Sequence, residues 1–393
     1  MRWPGISRAV PCLGLAQTIA WASSFYLPAI LAAPMARDLG MESATIFAAF
    51  SAALLLSAPL APISGHLIDR WGGRSVLMGT NVLFALGLMA LSAAQGGASV
   101  WVAWLILGVA MGCGLYDAAF ATLARLQGAQ AAPAIARITL IAGFASTVGW
   151  PLSAWMEVQW GWREACWGWA ALHLLVALPL NAMIGKPGAA ADRPASTPSS
   201  NPSPAPSTTS TATTWVLALV FAITYFVSVA LAAHLPGMLQ VLGVSLVAAV
   251  TVGALMGPAQ VAGRVLEITV LHRLHPIWSA RIAAAGFPLG ASLLLWWGPG
   301  LAVAFSILHG LGNGIMTIVR GTLPLAVFGP QGYGRRQGWL MVPTRFLSAL
   351  APYLTGLALQ YWGAATWWVL LGLSGIALAA LLWLRPSHGD MAQ

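Results

Sequence analysis

The sequence predicts an all-α integral membrane protein of twelve transmembrane helices arranged as two six-helix bundles. Three observations predict it: an apolar composition, apolar runs of membrane-spanning length, and one long polar stretch near the middle. Of 393 residues, 59% are hydrophobic and 7% charged, where a soluble domain carries about 25% charged residues. With a mean hydropathy of +0.80, the outer surface has to face lipid, so the bilayer is the first expected partner and water-soluble enzymes are set aside. A formal charge of +9 could suit nucleic acid, but that needs Lys and Arg gathered on one solvated face. Here they are scattered between apolar runs, and no nucleic-acid partner is expected.

A hydrocarbon core of about 30 Å takes roughly 20 residues of helix. Cutting the apolar runs at charges, Gly/Pro clusters and polar turns gives spans at Val10–Ala33, Ser43–Ser64, Val76–Ala94, Val100–Ala124, Ile135–Val158 and Glu164–Ile184. A second set follows at Trp215–Val241, Leu246–Leu271, Ser279–Trp297, Gly300–Phe328, Trp339–Tyr361 and Ala364–Leu384. Arg2 and Arg8 before the first run imitate a signal peptide, but the run is too long for a signal core and is read as a retained span. Residues 186–214 are rich in Pro, Ser, Thr and Ala. They can bury almost nothing and are expected to form a disordered cytoplasmic linker, between a bundle at 1–185 and a bundle at 215–393.

Charge gives an independent check on topology. With the N-terminus in the cytoplasm, Arg2, Arg8, Arg70, Arg74, Arg125, Arg137, Lys186, Arg193, Arg273, Arg281, Arg335, Arg336 and Arg385 fall inside, and only Arg37 and Arg163 fall outside. That division follows the positive-inside rule and puts both termini in the cytoplasm, with a bacterial inner membrane as the expected location. Cys12, Cys113 and Cys166 lie in apolar segments without paired spacing, so neither a disulfide framework nor a zinc site is suggested. Nothing indicates a cofactor, and a monomer is expected to suffice.

The loop after the second span reads Gly65-His-Leu67-Ile-Asp69-Arg70-Trp-Gly72-Gly73-Arg74. It resembles the signature loop of the major facilitator superfamily, Gly-x-Leu-x-Asp-Arg-x-Gly-Arg-Lys, at Gly65, Leu67, Asp69, Arg70 and Gly72, and departs from it at the basic pair. Read without the family, Gly65 and Gly72 permit a tight turn and close helix approach, and Asp69 sits at a helix end where Arg partners can hold it. The resemblance implies a secondary transporter of two six-helix halves, with Asp69, Arg70 and Arg74 latching one conformer. Ordinary topology-setting charges would look the same.

Weaker similarities refine this. Gly143 to Pro151 in the fifth span resembles a Gly- and Pro-containing antiporter motif without its tandem glycines, which close helix packing also explains. Trp160-Gly161-Trp162-Arg163 reads as an interfacial anchor. The fourth span has Leu107 and Gly108 where drug and proton antiporters carry Arg, which weighs against proton-driven drug export. The first two spans are similar to the monocarboxylate-porter-like branch. That branch has Asp four residues before Arg in the eighth span, whereas here Gln260 precedes Arg264, so the resemblance implies anion recognition without the acid of that pair.

A charge inside the bilayer costs at least about 2.5–3.5 kcal/mol, so each one demands a role. Asp117, Arg264, Glu267, Arg320 and Arg345 qualify. Asp117, Arg264, Arg320 and Arg345 fall at similar depths toward the cytoplasmic side, as one layer of a central cavity or as separate salt bridges. Glu267 follows Arg264 by three residues, which allows an intrahelical pair. Asp117 is expected to gate against an Arg or to carry a coupling proton. Three Arg against two carboxylates favour an anionic solute, because guanidinium binds carboxylates and oxyanions bidentately. Arg320 is the preferred ligand, since the resemblance implies that the tenth span lines the cavity. Gln17, Trp21, Tyr26, Tyr116, His234, His309 and Asn313 are uncharged candidates on presumed cavity helices, while Asn81, His173 and Asn181 are read as structural.

The expectation is therefore a transporter of a small solute, an organic or oxyanion, by symport or antiport with a proton as the candidate coupling ion. Efflux of a toxic arsenical or drug is the alternative. From other classes, a non-transporting sensor keeps the fold without the function, and an intramembrane enzyme would need a nucleophile–base set or metal ligands, of which His-Glu-x-x-His and Gly-x-Ser-x-Gly are both missing.

Overall fold

A computed structural model of the chain describes residues 9–127, 131–185, 211–328 and 333–384. Among the described residues eleven stretches are long and apolar enough to cross a membrane, and the last, Leu340–Trp383, contains two helices. Twelve spans result. In the first half they are α1 (Ala9–Ser23, resumed at Pro28–Asp38), α2 (Ser43–Trp71), α3 (Gly73–Ser92), α4 (Gly97–Gly114, resumed at Tyr116–Gln127), α5 (Ala131–Ala142, resumed at Ala145–Trp160) and α6 (Trp162–Ala182). In the second half they are α7 (Thr211–Gln240), α8 (Leu246–Ala254, resumed at Met256–Thr269), α9 (Pro276–Trp297), α10 (Ala302–Phe328), α11 (Tyr333–Trp362) and α12 (Thr366–Trp383). Several boundaries differ from the expectation, most of all the end of α2, which runs seven residues past Ser64 to Trp71 and makes most of the expected signature loop helical. Residues 211–214, assigned to the linker, open α7, and α11 begins six residues before Trp339. The rest of the expected linker lies outside the described residues, as do Arg2, Arg8, Lys186, Arg193 and Arg385.

The same helix pairings recur six helices later. Within the first half α2 packs on α4, α3 on α4, α1 on α5 and α3 on α6, and within the second α8 packs on α10, α9 on α10, α7 on α11 and α9 on α12. Glycines set the closest of these approaches. A Cβ on Gly108 or Gly112 of α4 would stand 2.8 Å from the Ala53 or Ser57 carbonyl oxygen of α2. A Cβ on Gly310 or Gly314 of α10 would stand 2.9 Å from the Met256 or 2.1 Å from the Gln260 carbonyl oxygen of α8. In lipid there is no hydrophobic drive between helices, so this backbone contact through small residues is a main source of cohesion. It also accounts for Gly108 at the position where drug and proton antiporters carry Arg.

The signature motif runs along the last turns of α2 to Gly72, whose φ of +85° ends that helix in a conformation that costs glycine little. Gly65 behaves otherwise than expected, with open space where its Cβ would lie, and it is Gly73 that packs closely, since a Cβ there would stand 2.1 Å from the Thr122 hydroxyl of α4. At the far end, Arg163 forms a 2.9 Å ion pair with Asp38, donates to the Ser92 and Ala94 carbonyls, and lies 4.2 Å over the Trp162 ring. The Trp-Gly-Trp-Arg segment thus ties α6 to α1 and α3. Ser23, His173 and Asn81 form a buried chain, Oγ to Nε2 at 2.7 Å and Nδ1 to Oδ1 at 3.0 Å, which bonds α1, α6 and α3 together where α6 passes through a π-turn at His173–Ala177.

Candidate functional site: a central cavity between the halves

Two cavities open between the halves. The first, about 330 Å³, lies toward the end of the bundle that carries the described termini and draws on α1, α2, α4, α7, α10 and α11. Its first-half wall is aromatic. Trp21, near the end of the first piece of α1, and Phe25, in the turn that interrupts α1, meet with ring centroids at 5.0 Å. Tyr116 and Phe120, one turn apart on α4, stack at 5.2 Å, and Trp21 joins the two pairs at 4.9 Å from Tyr116. The second-half wall is cationic, with Arg320 from α10 and Arg345 from α11 beside Tyr225, Ser348 and Met341. The Arg320 guanidinium lies 4.3 Å over the Tyr225 ring, a cation–π platform that fixes its plane. Asp117, exposed on the first half, is the cavity's carboxylate.

The second cavity, about 740 Å³, opens at the opposite end and includes Arg37, Glu42, Phe47, Glu157, His234 and Gln360. Between the two, α2, α7 and α11 close on one another. The His234 ring meets Phe47 at 3.8 Å and bonds the Pro352 carbonyl at 2.7 Å, and the Tyr353 amide donates to Ser51 Oγ at 3.1 Å. Phe25 packs edge-on to Phe50 at 6.0 Å. His234, a candidate ligand from the sequence, stands in this barrier.

The model of the Major Facilitator Superfamily matches residues 13–303. The chain belongs to that superfamily. Among curated proteins none matches significantly. Solved superfamily structures share the fold at low identity. The nucleoside transporter NupG superposes with a TM-score of 0.70 at 16% identity, covering 95% of this chain and 97% of its own. A bacterial homolog of the human lysosomal transporter Spinster, inward-facing and occupied, gives 0.67 at 16%, covering 97% and 95%. The D-xylose–proton symporter gives 0.68 at 13%, covering 96% of each chain. The chain is thus a multi-pass integral membrane transporter of the major facilitator fold.

Not every residue singled out in the sequence reaches the cavity. Of the charged set, Asp117, Arg320 and Arg345 share it. Arg264 instead turns across the halves. Its Nη1 donates to the Thr139 carbonyl of α5, its guanidinium faces the Tyr116 hydroxyl, and Gly143 leaves it room, since a Cβ there would stand 3.0 Å from Nη1. The intrahelical pair with Glu267 does not form. Glu267 is buried, and its Oε2 has no hydrogen-bond partner among the described residues. The one ion pair among the described residues is Arg163–Asp38, so the gate expected between Asp117 and an Arg is not closed here. Gln17 donates to the Gly114 carbonyl at 2.7 Å, bracing α1 against the break in α4. Tyr26 packs edge-on to Trp150 at 5.6 Å, behind Phe25. His309 and Asn313 share a face as expected but line a hollow inside the second half with Ser228 and Phe287, where Ser228 Oγ donates to Asn313 Oδ1 at 2.9 Å.

The signature-loop residues sit at the termini-bearing end of this major facilitator fold. Asp69 and Arg70 are exposed at the end of α2, and Arg70, Arg74 and Arg125 surround a hollow of about 610 Å³. Arg125 donates to the Ile68 carbonyl, which fastens α4 to α2. Sequence reasoning missed Phe25, Phe120 and Tyr225. The signal was present as aromatic pairs four residues apart, Trp21/Phe25 and Tyr116/Phe120, on helices already suspected of facing the cavity.

Proposed function

We propose that the chain carries a small organic anion across the membrane by alternating access, the cavity between its halves opening to one side and then the other. The observation that carries this reading is the lining of that cavity, where Arg320 and Arg345 face Asp117, two cations against one carboxylate. Arginines hold a carboxylate through paired charge-assisted bonds. Asp117 is the group placed to carry a coupling proton, and the fold-sharing D-xylose–proton symporter makes a proton the first coupling ion to test. Arg70, Arg74, Arg125, Arg137, Arg273 and Arg281 gather toward the termini-bearing ends of the helices, with Arg37 and Arg163 at the other. By the positive-inside rule the termini are assigned to the cytoplasm and the protein to a bacterial inner membrane. The cavity is complete within one chain, in keeping with a working monomer.

Flux in proteoliposomes tests this. Labelled monocarboxylates should move, and an imposed pH gradient should change their rate. Movement of arsenite or a cationic dye with no acid flux would overturn the anion reading in favour of detoxifying efflux.

A further inference from the structure

We infer that the solute is an aromatic carboxylate, its ring lying on the first half's wall and its carboxylate on the arginines of the second. The inference builds on the anion reading above and adds the body of the molecule to its charge. Four observations carry it. First, the two halves contribute unlike chemistry. Trp21, Phe25, Tyr116 and Phe120 form one continuous aromatic wall on α1 and α4, while both cavity arginines come from α10 and α11. Second, apart from Phe25, which is 8% exposed and packs into the core, these rings are not core filling. Trp104, Trp150, Trp169 and Trp367 are at most 1% exposed, whereas Trp21, Tyr116, Phe120 and Tyr225 are only partly buried and border open volume. An aromatic face left uncovered in a cavity is available for an offset-stacked or edge-on ring. Third, the Trp21 indole Nε1 is buried in the wall without a hydrogen-bond partner among the described residues, an unmet donor beside the cavity. Fourth, the cavity of about 330 Å³ falls at the small end of ligand sites, which run from about 300 to 1,000 Å³, and suits a one- or two-ring acid.

An inorganic oxyanion would use the arginines and leave the rings idle. A short aliphatic acid would do nearly the same. A neutral base or sugar would bring no charge for the arginines to hold. Only an acid with a flat aromatic body engages both walls at once, and a solute that bridges the halves is one whose binding can couple to their relative motion.

The test is equilibrium binding of labelled benzoate to the purified full-length protein, with displacement by benzoate, cyclohexanecarboxylate, inorganic phosphate and uridine. Benzoate and cyclohexanecarboxylate match in charge and nearly in size and differ in aromaticity. We expect benzoate to bind about tenfold tighter than cyclohexanecarboxylate, and the gap to shrink to about twofold in Trp21→Leu and in Tyr116→Leu. Equal affinity for the two acids in the wild-type protein overturns the aromatic assignment while leaving the anion reading intact. Tighter binding of phosphate than of benzoate overturns it in favour of an oxyanion. Direct binding of labelled uridine with no binding of either acid overturns both readings. The wild-type comparison decides the matter even if a variant fails to fold.

Discussion

The two walls of the central cavity are built from the same arrangement of helices and hold opposite chemistry. α4 of the first half and α10 of the second occupy matching places in the repeat, each packed by a Gly-x-x-x-Gly pair on a neighbour, α2 or α8. Yet α4 turns Tyr116 and Phe120 to the cavity, and α10 turns Arg320. The packing face and the cavity face of each helix are separate stripes, so the repeat can be kept on one while the other diverges. The difference teaches that symmetry in this fold constrains assembly and leaves recognition free.

Removing the cationic wall should have the largest effect. Arg320→Gln is expected to weaken benzoate binding about 30- to 100-fold, measured by the same displacement assay, and undiminished affinity would show that the second half is not the anion wall. Disturbing the packing stripe instead should cost stability. At Gly257, on the α5–α8 seam, a Cβ would lie 2.1 Å from the Thr147 hydroxyl, so Gly257→Ala is expected to destabilise by about 1–3 kcal/mol, visible as a lower melting temperature in detergent. Arg264 separates seam from wall. Because it bonds the Thr139 carbonyl across the halves, Arg264→Gln should change turnover about two- to thirtyfold with little change in benzoate affinity, and a matching loss of affinity would return Arg264 to the ligand set. Tyr225→Leu removes the ring beneath Arg320 and should weaken binding about three- to tenfold. The smallest effect is expected from Asp38→Asn, which breaks a partly exposed ion pair with Arg163 and should cost about 0.5 kcal/mol or less, read from the same melting curve.

Much of the fold was legible because the bilayer is a simple solvent. It demands long apolar helices with internally satisfied backbones, and runs such as Trp215–Val241 announce themselves in the residues alone. The boundary at Thr211 was misjudged because Thr and Ala at a helix start are as polar as the linker before them. The site was half legible. Asp117, Arg320 and Arg345 stood out because charge in a membrane is costly, and all three line the cavity. Arg264 and Glu267 were read by the same rule, but a three-residue spacing says only that two side chains share a face. It does not reveal a carbonyl on another helix, exposed by Gly143, that draws the guanidinium away. His309 and Asn313 show the same limit, since a helix in a bundle has an inner face toward its own half and another toward the cavity, and periodicity fixes that residues share a face without saying which.

By itself, then, the sequence determined that this protein spans the membrane twelve times, in two halves joined by a polar segment, and which charges had to be accounted for. Those properties follow from local chemistry and the energetics of transfer into lipid. Only the tertiary structure decided which charges meet in one cavity, which serve as a clasp between the halves, and that the rings of Trp21, Phe25, Tyr116 and Phe120 form a single wall. Those outcomes depend on the rotation of each helix about its axis, which is set by glycine-mediated contacts between residues far apart in the chain.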